Sequence, residues 1–221
     1  MNRIVLLMET GRAATKEAAK WFAEHGDVVY IGVKAAPVVK TDGVEYLVFD
    51  PCTGDGLQAA VETVEQKHGK LDIFVMGAGC HPEDGVIGSG HDYEQYLDVL
   101  MENICGNRTA VEAFLPLLRL GMKRVANITE VESSNNWSTG KTDMAYHASL
   151  AGLNVTGKML FNKLRPEGFT FRWYCDDGVP GGMCAAEYIT SALCYDPKEP
   201  YTHSDENRLV LRDAYLREIA W

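Results

Sequence analysis

The chain has 221 residues, a formal net charge of −10 and 46% hydrophobic residues, enough for one large domain with a substantial core. That charge argues against a nucleic-acid backbone or an anionic membrane as the main partner. The apolar run in MNRIVLLMET is too short for a signal peptide, and no stretch approaches the roughly 18 apolar residues of a membrane span, so the expected location is the cytoplasm. Residues 3–9 read as a buried strand, and 13–25 as a helix with Ala14, Ala18, Trp21 and Phe22 on one face, stopped by Gly26. Strands follow at 27–33 and 44–49, an amphipathic helix at 55–69 closed by Gly69, and a strand at 71–77. A long helical stretch covers about 93–119, then a strand 123–129, a helix 143–164, a strand 170–175, a short helix 184–194 and a last strand 208–212. Apolar strands alternating with helices imply an α/β fold: a Rossmann-like, doubly wound parallel sheet of about seven strands with helices on both faces, 1–221 forming a single domain. Ligands of such sheets bind at the carboxyl ends of the strands. The six cysteines form no CxxC pair, and a set from Cys80, His81 and Cys175 has poor ligand spacing, so no metal site is expected.

Several landmarks fall in one order. Thr10-Gly11 ends the first strand, and Asp50 follows the third. Gly77-Ala78-Gly79 follows the fourth, and Asn103-Ile-Cys-Gly106 lies in the long helix. Tyr146 heads the helix at 143–164, and Pro180-Gly181 follows the sixth strand. This colinear series resembles the short-chain dehydrogenase/reductase family over nearly the whole chain. The resemblance implies a nicotinamide cofactor held near Gly11, Asp50, Gly79 and Pro180, and catalysis by Tyr146 with a serine, Asn103 and a lysine.

The departures from that pattern fall on the chemistry. Of the family's three phosphate-loop glycines only Gly11 remains, with Thr15 and Glu17 in the other places; a carboxylate there disfavours a pyrophosphate. Arg12 and Lys16 read as solvated charges of the first helical turn, with attraction to phosphate as the alternative. The second strand ends Ile31-Gly32-Val33-Lys34 without the acid that holds ribose hydroxyls, Lys34 being a hint of NADP. The lysine one turn after Tyr146 is replaced by Leu150, which supplies no cation to lower the phenol's pKa, so Tyr146 is expected near the ordinary value of about 10. Glu130 stands in the serine's place by strand matching and Ser133 by spacing to Tyr146; Glu130 otherwise reads as a solvated strand-end charge, and the Cys175-Asp176-Asp177 run as a solvated turn. The segment from Gly181 to Leu209 leaves a short substrate lid.

The reading is a family member that has lost ordinary NAD(P)-dependent redox chemistry and binds no cofactor. It would serve as a non-catalytic subunit or binding module, in a homo-oligomer or with an intact paralogue, through the 93–119 and 143–164 helices. Ala145, Ala148, Ala151, Gly152 and Val155 give the latter a small-residue face for close packing. The alternative is a divergent NAD(P)-dependent oxidoreductase or a cofactor-free acid–base enzyme using Tyr146 with Asn103 and Ser133 or Glu130.

Overall fold

The computed structural model of the chain describes residues 2–90, 92–176, 178, 181–191 and 208–221. One sheet organises them, in the order β3-β2-β1-β4-β5-β6-β7-β8. The strands are β1 (Ile4–Met8), β2 (Val28–Val33), β3 (Val44–Val48), β4 (Ile73–Met76), β5 (Arg124–Glu130), β6 (Thr170–Asp176), β7 (Leu211–Arg212) and β8 (Glu218–Ile219). The first seven pair in parallel. Every residue of β1 and β4 is buried, which is why these strands are apolar throughout rather than alternating.

The helices divide between the two faces. On one lie α1 (Ala13–Glu24) and α6 (Ala185–Thr190), whose Ala18, Phe22, Ala186 and Ile189 join Val5, Leu7 and Ile128. On the other lie α2 (Leu57–His68), α4 (Asn107–Leu120) and α5 (Met144–Leu164), with Val64, Phe114 and Leu150 packed against Leu6, Phe74 and Trp173. α3 (Tyr93–Leu100) runs into α4 through a π-helical stretch, Met101–Gly106, so the long stretch foreseen around 93–119 is continuous but locally underwound.

The doubly wound parallel sheet matches the expectation, with two local differences at its far edge. The last strand shrinks from 208–212 to Leu211–Arg212; at its end buried Asp213 accepts hydrogen bonds from Tyr215 N and Arg217 N at 2.9 Å and turns the chain back. The returning segment adds antiparallel β8, which the sequence pattern did not suggest. The short helix foreseen at 184–194 is present over Ala185–Thr190, and 192–194 lie outside the described residues, as do Pro180 and most of the expected short lid.

The strand order reverses between β1 and β4, so the crevice beyond their carboxyl ends is where a ligand of this architecture binds. The loops meet closely there. A Cβ on Gly79 would lie 2.9 Å from Thr10 Cα, and one on Gly77 only 2.5 Å from Thr10 Cγ2. Glycine at both positions lets the two loops share this space.

Candidate functional site

The loop after β1 closes on itself. The Glu9 carboxylate accepts the Gly11 N–H at 2.5 Å, with Gly11 at φ +70, a left-handed conformation that suits glycine. The hydroxyls of Thr10 and Thr15 meet at 2.6 Å, so the residue in the second glycine place is knitted to the loop. Glu17, in the third, is exposed. Beside this loop lies a crevice of about 260 Å³ whose walls include Glu9, Gly11, Lys34, Phe49, Gly79 and Glu102. Across it, Lys34 Nζ pairs with Glu102 at 2.6 Å. Asp50 does not line this crevice; its carboxylate accepts the Cys52 N–H at 2.8 Å and holds its own turn.

Arg12 is not a solvated first-turn charge. Its Nε lies 2.8 Å from Glu130 Oε1, its terminal nitrogens donate to the Ile128 and Thr129 carbonyls at 3.3 Å, and Asp176 Oδ2 is 3.9 Å away. The Arg12 side chain is only 13% exposed. Glu130 and Asp176 are register partners at the ends of β5 and β6, so two carboxylates stand side by side and a cation from the β1 loop bridges them. That corrects the solvated readings of Arg12 and of Glu130; Asp176 stays about a third exposed at the edge of the pair.

Tyr146 is buried at the start of α5, its ring stacked on His81 with centroids 3.8 Å apart and planes 12° apart. Its phenol is pushed well above the ordinary tyrosine range, first by burial and then by the Glu130 carboxylate, with Arg12 opposing only in part. The expectation of an ordinary phenol near 10 is therefore corrected upward, because desolvation acts even without a lysine. Glu130 is the carboxylate whose charge acts most strongly on Tyr146. Ser133 sits in the 3-10 turn after β5, its hydroxyl without a hydrogen-bond partner and its carbonyl accepting from Asn154 Nδ2 at 3.2 Å. Leu150 is fully buried in the core under α5.

Asn103, in the π-helical stretch, spends its amide on the backbone around it. Its Oδ1 accepts from Gly79 N at 3.0 Å and Cys80 N at 2.9 Å; its Nδ2 donates to the Cys80 carbonyl at 2.8 Å and Ser149 Oγ at 2.9 Å. Asp84 adds a second anchor for the same loop, accepting from Met144 N at 2.9 Å and Ala145 N at 2.7 Å at the N-terminus of α5. Asp84 escaped the sequence reading, and Arg12, Asp176 and His81, each weighed there for another role, were not placed beside Tyr146 or Glu130. The signal for Arg12 was an arginine after Gly11 with two acids at later strand ends, informative only once the strand order is known.

A sequence model described as short chain dehydrogenase matches residues 10–183. The chain belongs to the short-chain dehydrogenase family. Relatives include benzil reductase ((S)-benzoin forming) IRC24 of Saccharomyces cerevisiae, 29% identical over 70% of this chain. The C-signal protein of Myxococcus xanthus is 32% identical over 46% of this chain. These matches span 63% and 61% of the relatives' own lengths. Among solved structures, the ligand-free aldohexose dehydrogenase of Thermoplasma acidophilum superposes with a TM-score of 0.66 over 80% of this chain and 66% of its own, at 18% identity. The NADH-dependent reductase A1-R′ complexed with NAD reaches 0.67, covering 80% of this chain and 78% of its own, at 14% identity.

The residues at this chain's strand ends do not fit the nicotinamide cofactor that the family implies. The Gly11 N–H that would face a phosphate already holds a carboxylate, and Glu9 would repel a phosphate placed beside it. Arg12 has its charge engaged by Glu130 and Asp176 rather than offered to a ligand.

Proposed function

We propose that this protein keeps the short-chain dehydrogenase scaffold without its NAD(P)-dependent redox chemistry and works as a non-catalytic subunit or binding module. The observation that carries the reading is the Arg12–Glu130 pair, which lays an arginine across the strand ends where the family's catalytic serine would stand. The neighbouring phenol, held protonated by burial and by Glu130, is a poor general base. Assembly would use α5 and the α3–α4 helix beside it, with a second copy or an intact relative as partner. Val155 and Met159 on α5, and Leu97 and Met101 on the preceding element, expose apolar surface for such a contact.

One observation favours the enzymatic reading: Arg12 brings a cation near Tyr146 that Leu150 does not supply. Glu130 engages that cation, and the phenol's pKa still rises, so acid–base catalysis by Tyr146 is the weaker proposal. Calorimetric titration with NAD⁺, NADH, NADP⁺ and NADPH tests the preferred one. No form should bind with micromolar affinity; such binding by any of them overturns the loss of cofactor chemistry. Sedimentation of the same sample should show a dimer or larger species, alone or with an intact relative added; a monomer in both cases removes the subunit role.

A further inference from the structure

Helix α3 packs on α5 and turns Val99 inward, where it is fully buried. On its outer side Tyr93, Leu97 and Met101 follow one another at four-residue steps and are 73%, 60% and 48% exposed. Three large apolar side chains in one row over two helical turns, about 12 Å, differ from the singly scattered apolar residues of an ordinary surface. Beside them run Glu94, Asp98 and Glu102, at the same step and one position further along. Glu102 pairs with Lys34 at 2.6 Å, while Glu94 and Asp98 are exposed and form no ion pair among the described residues. No lysine or arginine occurs between Lys70 and Arg108, a stretch that contains all of α3, so the helix supplies no cation of its own.

We propose that the outer face of α3 docks a helix of another protein whose apolar stripe is bordered by lysine or arginine. Such a partner would serve the assembly role proposed above, a reading on which this inference rests. An apolar row spaced by helical turns fits the side-chain ridge of a second helix. The acidic border decides which helix. A two-fold contact centred on α3 would lay the face against its own copy and bring Glu94 and Asp98 toward the same carboxylates of the second chain. Like charges brought together at an interface are costly, and opposite charges select the partner. A second copy of this chain is therefore the poorer occupant of α3, and a basic amphipathic helix the better one.

The test uses the full chain and two labelled synthetic amphipathic helices, with the same leucine face and either lysine or glutamate along its flanks. Read by fluorescence anisotropy, the lysine peptide should bind and the glutamate peptide should not. Leu97→Ser should weaken the lysine peptide about tenfold, as loss of one large apolar side chain from a contact implies. Glu94→Lys together with Asp98→Lys should reverse the preference, so that the glutamate peptide binds and the lysine peptide does not. Both positions are exposed and Asp92 still caps α3, so this variant should melt near the wild type. Glu62→Lys together with Glu65→Lys, on the exposed side of α2, changes the net charge equally and should leave both peptides as in the wild type. No binding of the lysine peptide to the wild type overturns the proposal. So does a loss of affinity as large in the α2 variant as in the α3 variant, because net charge alone would then account for binding. A dimer of the chain alone that Leu97→Ser dissociates also overturns it, since a second copy would then cover α3. That last result would leave the assembly reading standing, whereas the assembly reading fails on a monomer in sedimentation both alone and with an intact relative.

Discussion

Replacing Arg12 with methionine keeps much of the side chain's apolar stem and removes the guanidinium. In the folded protein this leaves Glu130 and Asp176 as adjacent strand-end carboxylates with their bridging cation gone. Fully exposed ion pairs contribute about 0–1 kcal/mol, and removing one partner of a buried pair costs about 3–5 kcal/mol. With side chains 13% and 29% exposed, the Arg12–Glu130 pair stands between these limits, so Arg12→Met should cost about 2 kcal/mol. For a chain of this size that is a fall in melting temperature of roughly 4–8 °C. Glu130→Gln should cost less, because the amide keeps an acceptor for Arg12 and no carboxylate is left unpaired at that position. A double-mutant cycle of the two changes, read by urea denaturation, should give a coupling of about 1 kcal/mol or more. The coupling should survive in about 1 M salt, where exposed pairs are screened. A coupling below about 0.3 kcal/mol, within the scatter of independent sites, would show that Arg12 does not bridge the strand ends and would reopen the crevice to a cofactor.

Leu150→Lys places an ammonium in a fully buried apolar core position, a cost of several kcal/mol. It should lower stability and give no turnover of a ketone panel with NADH or NADPH; measurable reductase activity from that one change would restore the dehydrogenase reading. The raised phenol of Tyr146 should be visible in alkaline difference spectra, where Tyr146→Phe removes no tyrosinate signal at the ordinary value of about 10. The folded chain keeps that proton while the unfolded chain releases it, so stability should fall as pH rises past about 10, and the fall should be smaller in Tyr146→Phe. Normal titration of Tyr146 would refute the burial argument.

The architecture was legible because it rests on local periodicity. Apolar strands, glycine-closed helices and their order are written in contiguous residues, and the parallel sheet follows from them. The edge was less so: β7 and β8 are two residues each, too short for any pattern, and they depend on Asp213 turning the chain. At the site, the substitutions at Thr15 and Leu150 could be read directly, while the partner of Arg12 could not. Glu130 and Asp176 lie far along the chain and become neighbours only through the pairing of β5 with β6. The choice between Glu130 and Ser133 was open for a related reason. Strand β5 runs through Glu130, and the chain then enters a 3-10 turn, which turns on backbone geometry rather than on residue type.

Asn103 shows what the survival of a family residue can mean. Both ends of its amide are engaged, by Gly79, Cys80 and Ser149, and these bonds tie the β4 loop and α5 to the underwound stretch between α3 and α4. It acts as a rivet between three pieces of the scaffold. Selection for a foldable chain alone would preserve it long after turnover had ceased. In this chain, then, Asn103 speaks for the framework, and whether chemistry persists has to be judged from side chains that the framework can do without.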